Sequence, residues 1–187
     1  METLIKNRIK QVKAGDQNAY SEIVEIYKDK VFQLCYRMIG NIHEAEDLAQ
    51  EAFIRAYINI DSYHMDKKFS TWLYRIATNL SIDRIRKKKP DVFLDAEVKG
   101  TDGLTMYSQL AAEGNTPEDE VESLELQQTV QEEILKLPDK YRAVIVLKYI
   151  EELSLKEISH ILDLPISTIK TRMHRGREAL RKTLKEV

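Results

Sequence analysis

Apolar residues recur every three or four positions through most of the N-terminal half of the chain, a spacing that predicts α-helices. One such run covers residues 20–39 and ends at Gly40, a residue type that commonly follows the last turn of a helix. A second run covers residues 44–60, and a third helix is expected from about residue 70 to residue 88. The segment 61–68 is polar and irregular, and we expect it to form a loop that does not pack.

Two capping boxes mark helix starts. Asn41 followed by Glu44 fits the pattern in which a side chain accepts a hydrogen bond from the backbone three residues later. Ser154 followed by Glu157 opens a short helix in the C-terminal part of the chain. A tight break at residues 163–165 separates this helix from a basic last helix, which is the helix-turn-helix pattern.

The C-terminal part is helical before that motif as well, since residues 130–137 and 143–150 carry closely spaced apolar side chains. Six glycines and four prolines are too few for an all-β protein. We therefore predict an all-α fold of two helical domains, residues 1–90 and 126–187. An extended acidic linker, residues 91–125, joins them and has a short helix at its end.

The net charge of -2 at pH 7 conceals a segregation of charge along the chain. Residues 61–89 hold eight basic and three acidic side chains, and residues 163–187 hold seven and three. Residues 90–125 hold ten acidic side chains and one lysine. Two basic segments separated by an acidic one predict two surfaces for a polyanion, although runs of charge are often only solvated helix faces.

Several classes of protein are disfavoured by the composition. The single cysteine, Cys35, rules out an internal disulfide and lies in a core stripe, where we expect inert packing. The histidines show no zinc-ligand spacing and no acid–base pair converges, so we expect no metal, no cofactor and no enzymatic activity. The lack of a long apolar run and of a signal peptide predicts a cytoplasmic protein without membrane insertion.

The last helix separates apolar and polar side chains onto opposite faces. Ile169, Met173 and Gly176 lie on the apolar side. The hydroxyl, imidazole and basic groups of the other side can reach base edges and phosphates in a major groove, although a merely soluble basic helix would look similar. We call these side chains the recognition face: Ser167, Lys170, Thr171, Arg172, His174 and Arg175.

The helix over residues 44–60 carries apolar residues on the side opposite its core stripe. Two isoleucines stand there among acidic and amide groups, a mixture that favours a protein-binding surface. The plainer interpretation is that single exposed apolar residues are ordinary. We call this side the docking face: Asp47, Gln50, Glu51, Ile54 and Ile58.

Aromatic and basic residues alternate through the segment 61–69 and the helix after it. Aromatic rings stack on unpaired bases and cations follow the phosphates, which is the chemistry that single-stranded DNA binding requires. Trp72 could instead be a core residue, at least in part, and the aromatic residues of the loop could also be buried. We call these side chains the aromatic–basic surface: Tyr63, His64, Lys67, Lys68, Phe69, Trp72, Arg75, Asn79, Arg84 and Arg86.

Three segments, in this order, resemble parts of the sigma-70 family of transcription initiation factors. Residues 44–57, EAEDLAQEAFIRAY, are similar to the family's core-polymerase-binding segment. Residues 69–87, FSTWLYRIATNLSIDRIRK, are similar to its promoter-melting and −10-reading segment, and residues 137–182 resemble its −35-reading helix-turn-helix domain. The short chain of two domains and a linker resembles the extracytoplasmic-function group.

The resemblance implies a division of labour. The docking face, together with Arg55, would bind the clamp helices of the largest subunit of core RNA polymerase. The aromatic–basic surface would hold a flipped −10 base and the opened strand, and the recognition face, together with Thr168, would read the −35 duplex of promoter DNA. The family also implies an anti-sigma factor, often membrane-anchored, and a linker near the polymerase active centre, where its acids could mimic a nucleic acid strand.

Two other classes of protein remain possible from the residues alone. An ordinary helix-turn-helix repressor with a sensing N-terminal domain would explain the C-terminal helices but not the docking face or the aromatic–basic surface. A serine recombinase would need a strand-bearing catalytic domain, whereas residues 1–89 show helical periodicity throughout.

Overall fold

The computed structural model describes residues 2–88 and 117–184, with side chains from residue 125 onward in the second range. Every regular element within these ranges is helical, which confirms the all-α prediction. The N-terminal domain comprises α1 (Glu2–Lys13), α2 (Gln17–Ile39), α3 (Ile42–Ile58), a 3₁₀ turn (Ile60–Ser62) and α4 (Phe69–Lys88). The C-terminal domain comprises α5 (Pro117–Lys136), α6 (Asp139–Ile145), a π-helical turn (Val146–Ile150), α7 (Leu155–Leu162) and α8 (Ile166–Thr183).

Helix α5 begins inside the segment that the sequence predicts as linker. The helix expected at the end of that segment is therefore part of a 20-residue helix. The rest of the predicted linker, residues 91–116, lies outside the described residues, as do the acidic groups proposed to mimic a nucleic acid strand at positions 95, 97 and 102.

Helix α1 has no counterpart among the sequence-based predictions. Its buried side chains, Ile5, Ile9 and Val12, follow the helical spacing of four and three and close one side of the N-terminal core. The next helix, α2, starts at an N-cap, where Asp16 Oδ1 accepts hydrogen bonds from two backbone N–H groups of the first turn. The N-terminal domain thus has one more core helix than the periodicity alone suggested.

The C-terminal end of α2 is a contact point between the two domains. Gly40 adopts the left-handed conformation at φ 77° and donates its N–H to the Tyr36 carbonyl at 2.8 Å. A β carbon at Gly40 would collide with Leu135 of α5. Arg142 Nη1 donates to the Met38 carbonyl at 2.6 Å, so an α6 side chain satisfies a free carbonyl at the end of α2.

The first predicted capping box is half formed. Asn41 Oδ1 accepts a hydrogen bond from the Glu44 backbone N–H at 3.0 Å, as expected. The Glu44 carboxylate turns away to α4, where it pairs with Arg84 at 3.4 Å and with Lys88. The carboxylate therefore ties α3 to α4 instead of capping its own helix.

The prediction that segment 61–68 forms a loop that does not pack is wrong at Tyr63, whereas most of the other side chains of the segment are exposed. Ile60 and Tyr63 are buried, and the Tyr63 hydroxyl donates a hydrogen bond to the Lys67 carbonyl. Lys13 of α1 donates from Nζ to the Tyr63 carbonyl at 3.0 Å. The segment is compact because one aromatic ring buries its centre and α1 holds its backbone, neither of which is visible in local polarity.

The helix-turn-helix prediction is confirmed in detail. The second capping box is complete, since Ser154 Oγ accepts from the Glu157 N–H at 3.2 Å and the Glu157 carboxylate accepts from the Ser154 N–H at 3.0 Å. Asp163 ends α7 in the left-handed conformation at φ 54°. The Leu164 N–H donates to the Ser159 carbonyl at 3.1 Å, and the Ser159 hydroxyl donates back to the Leu164 carbonyl at 2.5 Å. These bonds fix the angle at which α8 leaves the turn.

Close packing of α8 on α6 sets which side of α8 faces solvent. Ile169 and Gly176 are its buried residues. A β carbon at Gly176 would lie only 2.8 Å from Ile145 Cγ1, so the two helices approach at a point where only hydrogen fits. The opposite side of α8 is therefore turned outward along its length.

Candidate nucleic-acid interface

The recognition face lies on the solvent side of α8, as its sequence pattern predicts. Thr168 and Arg172 are half-buried, and the remaining members are exposed: Ser167, Lys170, Thr171, His174 and Arg175. The Thr171 hydroxyl donates to the Ser167 carbonyl at 3.1 Å and keeps its lone pairs outward, and the His174 imidazole lies 3.8 Å from Glu178. This arrangement offers hydroxyl, imidazole and basic groups to one groove.

A tyrosine of α6 extends this surface, and sequence reasoning missed it. The Arg175 guanidinium beside the Tyr141 hydroxyl lowers the pKa of that phenol. The ammonium of Lys140 lies 5.0 Å from the centre of the Tyr141 ring. The three side chains form a small basic cluster, and only the α6–α8 contact at Gly176 brings them together.

A cleft of about 290 Å³ opens between α3, the 3₁₀ turn and α4. Trp72 supplies an aromatic wall, and hydroxyl, amide and guanidinium groups stand around it. Such a cleft suits an unpaired base, because the Trp72 ring can stack on the base while amide and guanidinium groups form hydrogen bonds with the edge of the base. Its lining residues are Arg55, Asn59, Ser62, Trp72, Arg75, Ile76, Asn79, Leu80 and Asp83.

The structure contradicts the assignment of Tyr63 and Phe69 to the aromatic–basic surface. Each side chain is only 2% exposed, and their rings pack edge-on at 5.4 Å. Burial raises the pKa of the Tyr63 phenol to about 12. The Trp72 ring packs on both, at 5.4 Å from Tyr63 and 5.6 Å from Phe69, and remains half-buried. The two buried rings thus position Trp72 and cannot themselves stack on a base.

Four basic members of the aromatic–basic surface are already paired within the chain. Arg84 pairs with Glu44 inside the N-terminal domain. The other three pair across the domain boundary: Lys68 with Glu157 at 2.8 Å, Arg75 with Asp163 at 3.8 Å and Arg86 with Asp139 at 3.1 Å. His64 and Lys67 are exposed on the loop, and Asn79 is exposed at the cleft.

The docking face is exposed as predicted. Ile54 is 54% exposed and Ile58 is 71% exposed, with acidic and amide groups on the preceding turns. Tyr57, which the sequence analysis did not include, is exposed beside them. Arg55 pairs with Glu51 at 2.7 Å and also lines the cleft, so the docking face and the base-sized cleft share an edge.

The part of the chain that the structure describes has no candidate metal site and no candidate membrane span. No group of three or more His, Cys, Asp or Glu side chains there could hold a metal ion, and none of its helices is long and apolar enough to cross a bilayer. Cys35 is fully buried, and burial raises the pKa of its thiol to about 12, which keeps the sulfur protonated and inert.

Comparison with known proteins defines the class. The family model for Sigma-70 region 2 matches residues 23–90, and that for Sigma-70, region 4 matches residues 127–180. The chain therefore belongs to the sigma-70 family of transcription initiation factors. It is similar over its full length, and over the full length of the relative, to the ECF RNA polymerase sigma factor SigW of Bacillus subtilis (strain 168), with 72% identity.

More distant relatives support the same family, and solved structures support the same fold. The ECF RNA polymerase sigma-E factor of Escherichia coli (strain K12) is 35% identical over 92% of this chain and 90% of its own. The sigma factor RpoE of Bartonella quintana, solved with the anti-sigma factor NepR, matches with a TM-score of 0.68 over 89% of this chain and 96% of its own. CnrH, solved with the cytosolic domain of CnrY, matches with a TM-score of 0.69 over 98% of each chain. At 21% identity, these two structures support the fold alone.

We predict that Phe69 acts through stability and not through base stacking. Phe69→Ala should lower the free energy of unfolding by ~3–5 kcal/mol, because it opens a cavity beneath Tyr63 and Trp72. The control His64→Ala removes an exposed loop side chain and should change it by less than ~0.5 kcal/mol. Urea denaturation followed by circular dichroism measures both, and a Phe69→Ala protein as stable as the control would contradict the assignment.

Proposed function

We propose that this protein binds core RNA polymerase and directs it to promoters by reading a −35 duplex and a melted −10 strand. The observation that carries the proposal is the pairing, in one all-α chain, of a duplex-reading helix with a cleft fit for an unpaired base. A repressor needs only the duplex-reading helix, whereas opening of a promoter requires both that helix and a site for the unpaired base. The protein is an initiation factor rather than an enzyme.

The −35 element is the proposed target of the recognition face. The N-terminal half of α8 enters the major groove, with Ser167, Thr171 and His174 directed at base edges. Arg175, which lies beside the Tyr141 hydroxyl, reaches a phosphate beside the groove. The cluster with Lys140 places a second positive charge on the same strand.

The −10 element is the proposed occupant of the cleft. Extrusion of a base costs a few kcal/mol, and stacking of a base on an aromatic ring returns ~1–3 kcal/mol. Trp72 is the ring available for stacking, since Tyr63 and Phe69 are buried. Asn79 and Arg75 offer an amide and a guanidinium to the base edge. The cations of α4 follow the strand beyond the flipped base.

Core RNA polymerase is the proposed partner of the docking face. Ile54, Tyr57 and Ile58 form an apolar centre, and Asp47 and Gln50 contribute to a polar rim. An apolar centre inside a polar rim is the usual anatomy of a protein interface. Because Arg55 belongs to both this face and the cleft, the bound polymerase would lie directly beside the melted strand.

We also propose control by an anti-sigma factor, anchored in the membrane as the family resemblance implies. The support is that the two solved structures named above are complexes of a matching chain with such a factor or with a cytosolic domain of a second protein. The acidic linker remains a candidate for the polymerase channel. The proposed partners, polymerase and chromosomal DNA, place the protein in the cytoplasm.

Reconstitution with core RNA polymerase tests the whole proposal. The purified protein, mixed with core enzyme and fragments of its host genome, should produce transcripts with defined 5′ ends that core enzyme alone does not make. Sequencing of the 5′ ends measures this directly. If no start site depends on the protein, the proposed function is wrong.

Ile54→Asp should weaken binding to core polymerase by about 10–100-fold, because a charge would be placed at the apolar centre of the interface. Leu126→Asp is the matched control, since Leu126 is equally apolar and exposed but lies on α5. Biolayer interferometry with immobilised core enzyme gives both affinities, and circular dichroism checks the fold. Equal affinity of the two variants would refute the docking face.

Arg175→Ala should weaken binding to a −35 duplex and reduce the salt slope of log K by about 1, since one phosphate contact is removed. Lys10→Ala, which removes an exposed cation on α1 in the other domain, should leave the slope unchanged. Fluorescence anisotropy across a NaCl series measures both slopes. If Arg175→Ala and Lys10→Ala show the same slope, Arg175 makes no such contact.

A further inference from the structure

The two domains meet along α4, and the meeting surface is the one proposed to hold the −10 strand. Helix α4 packs against α6 and α7 of the C-terminal domain. Three cations of the aromatic–basic surface contribute to this contact, namely Lys68, Arg75 and Arg86, and each faces a carboxylate of the other domain. By contrast, the recognition face on α8 stays exposed.

The Lys68 pair is the shortest of the three. Its ammonium lies 2.8 Å from Oε1 of Glu157, and the other carboxylate oxygen of Glu157 accepts bonds from the Ser154 N–H and hydroxyl in the capping box. This carboxylate is therefore held in place before the lysine reaches it. The hydrogen bond from Lys68, followed by those from Ser154, lowers the pKa of Glu157 to about 2, so it is ionised at neutral pH.

Arg75 joins the cleft to the C-terminal end of α7. Its Nη1 donates to the His160 carbonyl at 3.3 Å, and its Nη2 lies 3.8 Å from Asp163. The last carbonyls of a helix carry partial negative charge, so Arg75 meets two negative groups at once. Since Arg75 also lines the cleft, the contact directs a cleft guanidinium away from any strand.

Arg86 completes the row at the far end of α4. Its Nε lies 3.1 Å from Asp139 Oδ2 at the first turn of α6, and Asp139 is buried. The negative groups of Glu157, Asp163 and Asp139 thus face, one by one, the cations that would follow the phosphates of a single strand. This row of negative charge resembles the ligand it replaces.

We propose that the α6–α7 side of the C-terminal domain is an internal substitute for the −10 strand, which keeps the single-strand surface closed in the free protein. The inference rests on the proposed function, since it takes the aromatic–basic surface as the −10 site. A cation that is paired with a carboxylate has fewer free N–H donors for a phosphate, and the carboxylate beside it repels the phosphate charge. The closed protein therefore offers its −35 surface while three cations of its −10 surface are occupied, and separation of the domains frees these cations.

The contact is suited to reversal. Each arginine or lysine of the three pairs is about half exposed, so the pairs are individually weak and easily exchanged for phosphate or displaced when the docking face is bound. Arg142 and Gly40 tie the end of α2 to α6 and α5, and none of the three substituted carboxylates takes part in those two contacts. Neutral substitutions at the three carboxylates should thus open the single-strand surface and leave each domain folded.

The test compares two triple variants with the same change in net charge. E157Q/D163N/D139N removes the three facing charges, and Gln at position 157 can still complete the capping box. E125Q/E132Q/E152Q removes three exposed charges elsewhere in the second domain. The single variant E157Q is added because it disturbs the structure least, and circular dichroism confirms that all variants fold.

Two readouts are measured on the full chain. The first is binding of a fluorescein-labelled single-stranded DNA 12-mer of random sequence across a NaCl series. The interface triple should bind at least about tenfold more tightly than the wild type, with a salt slope steeper by about 2, as three restored phosphate contacts imply. The control triple should stay within twofold of the wild type. E157Q should lie between the wild type and the interface triple.

The second readout is the distance between spin labels on Asp66→Cys and Lys156→Cys, which lie beside the Lys68–Glu157 pair. Cys35 is buried and does not compete for label. The wild type should give a short distance and the interface triple a long one. A long distance in the wild type, or opening without tighter DNA binding, would overturn the inference. Failure of the reconstituted transcription would instead refute the proposed function, whichever distance is found.

Discussion

Burial of the aromatic cluster formed by Tyr63, Phe69 and Trp72 is the interaction on which the functional surfaces depend. The two inner rings are sealed in the core, and Trp72 packs on both while one edge faces the cleft. The cluster fixes the segment 61–68 against α4 and so gives the cleft a solid wall. An unpaired base binds well only to a ring that is already held in place, because ordering a mobile side chain would offset part of the stacking energy.

Because of this arrangement, helix α4 has two sides with different roles. One side completes the N-terminal core, and the other carries a row of cations with the spacing of a polyanion-binding strip. In the free protein these cations are paired with carboxylates of the second domain, and in the proposed complex they pair with phosphates. The near-zero net charge of the chain is consistent with this exchange, since the cations of α4 have acidic counterparts in the same molecule.

Local signals in the sequence were sufficient for the elements and for surfaces confined to one helix. The recognition face on α8 and the docking face on α3 follow from helical spacing alone, and the structure exposes them as predicted. Helix α1 has the same helical spacing of apolar residues, in Ile5, Ile9 and Val12, and this spacing is sufficient to predict it. The packing of segment 61–68 could not be predicted in this way, because its polar composition gives no sign that the Tyr63 ring is buried.

The sequence by itself thus determined the helices, the helix-turn-helix, the family and the separation of charge. Each of these depends on the spacing or the motif of residues that are close together in the chain. Only the tertiary structure decided which aromatic rings are available to a base, because burial depends on neighbours distant in the chain. It also decided that Tyr141 supports Arg175 and that Lys68, Arg75 and Arg86 face the second domain. Those contacts join residues separated by 34 to 89 positions, and no local pattern records such a distance.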